Sequence, residues 1–407
     1  MKRLWTRQFV IVAAVGHLCL HSVWATQHLV SPGQDWQQLA DRVRPGDEII
    51  LMPGCHRPAT LNQLQGTRGN PITIRGLDPK RPSIIEASRY GLVLHQPQHV
   101  VIENIVITGA TICGLVADDL ASTTARFPTE SSPPTPRKPW RANLVIRNIT
   151  ITNTGPQGKR HAIELSGLQD VRIHDVHIEG WGGSGLELIG CHGVSVESCR
   201  FIAVQDYSQL HAIQIRAGSE RVNITQCHFQ GIAEAVVVVG GSSKLREFRP
   251  EIPPDAGSRS HYEARHVQLQ RCTFLGGTCP IVLAHCDDTL MRNNTFIRPR
   301  HAVLCSTAEP TDHRIAPTRR AIFGGNLLVW EPGDLRRLVT IALADDAESF
   351  VFEESLWWST EPAAQRARLG TLPGARQTAQ ITDLDPKLDD ELRPTEPKAA
   401  YFGAKAP

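Results

Sequence analysis

Net charge is nearly absent: 43 Lys and Arg face 41 Asp and Glu, leaving +2 over 407 residues. Such a balance gives no electrostatic case for nucleic acid or an anionic membrane surface as a partner. No stretch beyond the N-terminus is apolar enough to span a bilayer. The ten cysteines contain no close Cys-x-x-Cys pair, which argues against a structural zinc site. The chain also lacks the regular Leu-x-x-Leu-x-Leu with Asn that a leucine-rich horseshoe needs.

The N-terminus is different in kind. Lys2, Arg3 and Arg7 form a basic segment, Phe9 to Leu20 is apolar, and Val23-Trp24-Ala25 ends in a small residue suited to cleavage. Residues 1–25 are expected to be a secretory signal peptide, which makes the protein secreted or periplasmic. The alternative for this segment is a membrane anchor, although Leu18 ahead of Cys19 does not suit a lipobox. No integral membrane segment is expected after cleavage.

What the chain does have is a repeat. A short apolar strand, a turn and a second strand ending in Ile or Phe recur from positions 161, 184, 211, 234, 279 and 301, in steps of 23, 27, 23, 45 and 22 residues. The long step is one repeat plus an insertion. A period in the range of about 20–30 residues with strand-like alternation means a solenoid. Aligned on the second strand, one column reads Ile107, Ile151, Ile178, Phe201, Phe229, Phe274, Phe296, Leu328. Another reads Ile102, Ile146, Ile173, Val196, Ile224, Leu269, Met291, and polar residues separate the two. Alternation places the apolar columns inward, and rungs about 4.8 Å apart stack like on like. The Phe run predicts an internal aromatic ladder. Cys199, Cys227 and Cys272, continued by Asn294 and Asn326, predict an interior stack of small residues with free thiols. The fold class is therefore all-β: a single-stranded parallel β-helix over residues 26–360, running alone along the chain as one elongated domain.

The ends and the interruptions are also legible. Gln34 to Val43 is helix-like and suits a short N-terminal cap on the first rung. Residues 361–407 are rich in Pro and charge and are expected to form a tail or cap. Leu356-Trp357-Trp358 suits the closing end of the solenoid. Residues 118 to 142 and 241 to 264 break the period as long loops, either walls of a binding face or disordered decoration.

Chemistry is expected on the outer side of the first-strand column. Glu164, Glu187 and Gln214 fall on adjacent rungs, and two carboxylates about 4.8 Å apart repel unless a cation, a shared proton or a base intervenes. Calcium is the expected cofactor, with Glu164, Glu187 and Gln214 as its oxygen ligands. The same spacing comes near that of the two carboxyls in retaining glycosidases. His161 and His211 enter these strands, and Arg216 shares a face with Gln214. Together His161, Glu164, Glu187, His211 and Arg216 supply candidate acids, bases and anion-binding groups. Lys159 and Arg160 are candidates for holding an acidic substrate. Trp181, set among Gly180, Gly182 and Gly183, is expected to be exposed and, with Tyr207 and Trp140, to stack on sugar rings. The structural alternative is that polar residues simply suit an exposed ladder.

Two segments carry a resemblance. Pro45-Gly46-Asp47-Glu48-Ile49-Ile50-Leu51 followed by Gly66-Thr67-Arg68-Gly69-Asn70-Pro71-Ile72-Thr73-Ile74-Arg75 resembles the entry rungs of right-handed parallel β-helix proteins, those of the alginate lyases and chondroitinase B in particular. Asp383-Leu384-Asp385-Pro386 through Phe402-Gly403-Ala404 is similar to the terminal segment of bacterial right-handed β-helix repeat proteins. The resemblance covers most of residues 28 to 404 and implies the pectate-lyase-like right-handed fold. In the lyase group it implies a calcium held by acidic and Asn side chains, a Lys base and an Arg. Cys191-His192 stands where that Lys would follow Glu187, and no Lys follows Glu164 closely, so a His or Arg must take its place. The expected function is that of a secreted, monomeric carbohydrate-active protein, a polysaccharide lyase acting on an acidic polysaccharide. The alternative is a non-catalytic polysaccharide-binding or cell-surface structural β-helix.

Overall fold

The computed structural model describes residues 25–120, 138–308, 312–362, 372, 374–378 and 380–405. The expected signal peptide, up to residue 24, and most of the first insertion lie outside them. One rung runs through the strands His161–Ser166, Leu168–His174 and His177–Trp181. The next repeats them as Ser184–Ile189, His192–Glu197 and Arg200–Ile202. Each strand pairs in parallel with its equivalent one rung on, which builds three sheets of 13, 11 and 10 strands. Each full turn thus has three strands, because the long second strand of the sequence phrase is broken by a one-residue corner.

That corner is set by backbone rather than by glycine. Asp175, Ser198, Gln226, Arg271 and Asn293 hold φ of 54°, 55°, 55°, 54° and 55°. A left-handed residue of this kind swings the chain from one sheet to the next. The residue that follows then points inward: Val176, Cys199, Cys227, Cys272 and Asn294 are all buried. The nine described cysteines are free. The asparagines continue the stack by bonding backbone, with Asn294 Oδ1 accepting the Cys272 N–H at 2.9 Å and Asn326 Oδ1 accepting the Asn294 N–H at 2.8 Å.

The predicted inward columns are in register. Phe201, Phe229, Phe274 and Phe296 pair in succession, with ring centroids 5.3, 4.8 and 4.7 Å apart. The stack then goes further than the sequence suggests. At Leu328 it leaves its own column and passes to Phe323, 5.8 Å from Phe296, and on to Phe352. These two continue the neighbouring column after Met291.

Two repeat starts shift by one residue. Ala235 pairs with Cys279, and Ile281 with Leu304, so Ala235 and Ala302 stand in the column of His161, Ser184 and His211, in place of Glu234 and His301. The in–out alternation of the apolar residues sets register, and the polarity of the entry residue does not. The N-terminal helix is a 3-10 turn, Gln37–Asp41, preceded by the buried Trp36. At the other end Ala399 and Phe402 pack on Leu327 and Leu356, so the last described residues lie back along the solenoid. Among the described residues no helix is long and apolar enough to cross a membrane.

Candidate functional site

The outward column of the ten-stranded sheet reads Val93, Val116, Glu164, Glu187, Gln214, Val238, Val282 in continuous register. Val93, Val116 and Val238 are only 8%, 9% and 6% exposed. Within this column the three polar rungs are flanked by valine on both sides, while Thr60 and Thr340 stand at its ends and the next outward column pairs His95 with Asp118 on the Val93 and Val116 rungs.

Glu187 is the centre of those rungs and is 2% exposed. The Ser184 hydroxyl donates to its Oε2 and Arg216 Nε donates to its Oε1, both at 2.6 Å. Arg216 also donates to Glu247 at 2.6 Å and to the Ser243 hydroxyl at 3.2 Å. Burial works against the guanidinium charge, but Glu187 and Glu247 more than offset it and push its pKa up. Glu247 belongs to the second insertion, which is a wall of this site. Phe248 and Ile252 of the insertion pack on Ile189 and Ala217. The buried Arg249 pairs with Asp119 at 2.8 Å. Glu263 closes the loop, accepting from the Ala217 N–H at 2.8 Å and from the Ser243 N–H and hydroxyl at 2.6 Å each.

The two histidines have opposite tautomers, assigned from their backbone partners. His161 Nδ1 accepts the Ser184 N–H at 3.1 Å, which leaves its proton on Nε2. His211 Nδ1 donates to the Ala235 carbonyl at 3.2 Å, which leaves a lone pair on Nε2. Burial lowers the pKa of both, with Glu187 opposing, so both are neutral near pH 7. Glu164 is half-buried. Burial first, and the charge of Glu187 second, push its carboxyl up to about 7.

These groups share a pocket of about 330 Å³ with Gln214 and Lys159, and the insertion adds Ser242, Lys244 and Glu247 to its lining. Glu164 does not line it, although His161 of its own strand does. Arg160 lies on an exposed turn and does not line the pocket. Its carbonyl instead accepts the Gly182 and Gly183 N–H groups at 3.1 and 2.8 Å. Tyr207 lines a shallower concavity that shares Leu210 with the pocket, and its hydroxyl donates to Asn153 at 3.3 Å.

Trp181 is not an exposed sugar platform. It is fully buried, edge-on to Phe201 at 6.4 Å, and its indole N–H donates to the His211 carbonyl at 2.7 Å. The flanking glycines permit close wrapping: a Cβ on Gly182 would meet the Gly155 carbonyl oxygen at 2.6 Å. Trp140 is likewise packed against the core and donates to the Pro97 carbonyl at 2.8 Å.

Calcium does not fit the predicted ligands. Both Glu187 oxygens are already taken, one of them by a guanidinium at 2.6 Å, and Lys159 and Lys244 add positive charge to the same pocket. A divalent cation would have to displace Arg216. Among the described residues no group of three His, Cys, Asp or Glu is placed to hold a metal ion.

Sequence reasoning missed Ser184, Lys244 and Glu247. Ser184 shares the column of His161 and His211, so the repeat already marked it. Lys244 and Glu247 sit in an aperiodic insertion, where only the loop's position after the third polar rung was a signal.

The family model described as the right handed beta helix region matches residues 80–248. No curated protein matches the chain in sequence. Among solved structures, a lacto-N-biosidase of family GH136 from Eubacterium ramulus aligns with a TM-score of 0.56 at 10% identity, over 88% of this chain and 68% of that one. An alginate lyase from Paenibacillus sp. str. FPU-7 aligns with a TM-score of 0.51 at 12% identity, over 81% of this chain and 98% of that one. A variant of the PL6 alginate lyase AlyGC aligns at 0.45 and 13% identity over 93% of this chain, which spans 56% of that protein's length. At such identities the likeness is one of fold. With three parallel sheets and a matched repeat region, the chain has the fold of a right-handed parallel β-helix.

Proposed function

We propose that the protein is an exported carbohydrate-active enzyme that cleaves an acidic polysaccharide by β-elimination in the pocket of His161, Glu187, His211 and Arg216. One observation carries the reading. Valine gives way to Glu164, Glu187 and Gln214 on three adjacent rungs, where two neutral histidines of opposite tautomer flank a buried ion pair. His211 Nε2 is the base that takes the proton α to the uronate carboxylate. The electron pair forms the double bond as the bond to the leaving oxygen breaks, and that oxygen takes up a proton. His161, with its proton on Nε2, donates a hydrogen bond to the developing negative charge, as a neutral imidazole can. Arg216, Lys159 and Lys244 outweigh Glu187 and Glu247, so the pocket favours a carboxylate-bearing sugar. Tyr207, beside Leu210, is placed for a neighbouring sugar. Calcium is not required, because Glu187, the central group of the set that would hold it, is already paired with Arg216 and Ser184. A likeness of fold to an alginate lyase and to a lacto-N-biosidase supports a carbohydrate substrate by analogy alone.

Hydrolysis is the second reading. Glu164 and Glu187 lie on adjacent rungs, about 4.8 Å apart by strand spacing, close to the roughly 5–5.5 Å of retaining glycosidases. A carboxyl with a pKa of about 7 also suits a general acid. The two readings separate when alginate, pectate and chondroitin sulfate are each incubated with the protein, with calcium and with a chelator. Elimination raises the ultraviolet absorbance of unsaturated uronates, equally in both conditions. New reducing ends without absorbance assign hydrolysis, and neither signal removes the enzyme reading and leaves a binding protein.

A further inference from the structure

We propose that a second, non-catalytic face on the thirteen-stranded sheet binds the acidic polysaccharide as an extended chain. The proposal takes its ligand class from the reading above but not its reaction. The face is a groove of about 910 Å³. Its floor is a column of outward positions in which Val101 pairs with Val145, and Val145 with Arg172. The column continues through Ser195 to Asn223, a length of about 19 Å at roughly 4.8 Å per rung. Both valines are partly exposed, unlike the buried valines beside the pocket. The pairing slips between Arg141 and Leu144, an irregularity of the kind that bends a strand and re-aims its side chains.

Arg68, Arg141, Arg172 and Arg221 are all exposed and all line this groove. Arg221 pairs with Glu220 at 2.6 Å, and Arg141 stands 3.7 Å from Asp170. Arg68 and Arg172 have no carboxylate partner among the described residues. The neighbouring outward column of the same sheet behaves differently. There Arg147 pairs with Glu103 of the same column, and Arg75 reaches across to Glu48, so both arginines are neutralised. Arg68 and Arg172 thus bring positive charge without carboxylate partners into the groove, although the chain as a whole is near neutral.

The two valines of the floor suit the apolar face of a sugar ring, and the guanidinium groups suit carboxylate or sulfate by paired hydrogen bonds. A single-stranded nucleic acid would ask for aromatic stacking platforms. Among the described residues no Phe, Tyr or Trp lines the groove. The pocket opens on the ten-stranded sheet, so the groove is a separate surface.

The test is migration through native gels containing alginate, pectate or chondroitin sulfate, in a His211→Ala background that leaves the polymer intact. Arg68→Ala with Arg172→Ala is compared with Arg75→Ala with Arg147→Ala, which removes the same charge from the same sheet. The groove pair should weaken retention on at least one polymer tenfold or more, and the control pair less than twofold. Equal losses in both would overturn the proposal, since they report net charge alone. Tighter binding of single-stranded DNA than of any polysaccharide, lost in the groove pair, would overturn it as well. Because retention is read without turnover, a failure of the elimination reading leaves this result interpretable.

Discussion

Rungs of one outward column differ sharply in what they ask of their side chains. At Val93, Val116 and Val238 the face is covered closely enough to bury valine. At Glu164, Glu187 and Gln214, in the same column, it holds two carboxyls and an amide. A carboxylate in surroundings that suit valine is costly unless it is paired and hydrogen-bonded. Here the compensation is elaborate: Ser184, Arg216 and a loop that delivers Glu247. The valine rungs show that the fold does not need that arrangement, which is why the polar rungs point to chemistry. A polar ladder on a fully solvated face would teach nothing of the kind.

The comparison can be broken in four ways. The largest effect is expected from His211→Ala, which should lower turnover by about 10²–10⁴-fold while the melting temperature stays close to that of the parent. Next, Glu187→Val extends the valine column but takes from Arg216 one of its two carboxylate partners, and should cost about 3 kcal/mol in denaturant unfolding. Adding Arg216→Met to that variant should recover most of the stability and none of the activity. If the single variant is as stable as the parent, Glu187 was not held at a cost.

The third way is pH. Glu164 lies at about 7 in the folded protein against an ordinary value of 4.5, so the folded state binds its proton more tightly. Stability should therefore fall by about 3 kcal/mol as pH rises from 4.5 through 7, and level off above. Glu164→Gln should remove that slope, and an unchanged slope would place the titration elsewhere. The smallest effect is expected from Gln214→Val, which continues the valine column without stranding a charge. Its stability should change by less than about 1 kcal/mol.

The fold was legible because stacked rungs repeat like residues on like. The columns from Ile107 to Leu328 and from Ile102 to Met291 can be aligned by eye. The corners were not legible, because Ser198, Gln226 and Arg271 take a left-handed conformation that carries no glycine signature. Glu164, Glu187, His161 and His211 could be found by aligning repeats, since the repeat itself brings them together. Lys244 and Glu247 could not, because an insertion has no period and its docking depends on the distant pairs Arg249–Asp119 and Ala217–Glu263. Trp181 misled for a physical reason. Glycines on both sides suggest an exposed tip, but here they let the backbone pass close to Gly155 and turn the indole inward under His211. Glu234 and His301 misled because the polarity of a turn residue was weighed above the alternation of the strand that follows.

The most direct test follows ultraviolet absorbance while the wild-type protein and His211→Ala act on alginate, pectate and chondroitin sulfate in the presence of a chelator. The account predicts a steady rise with the wild type on at least one of these polymers and none with the variant. Absorbance that rises equally with both proteins, or that appears only when calcium is restored, would contradict it.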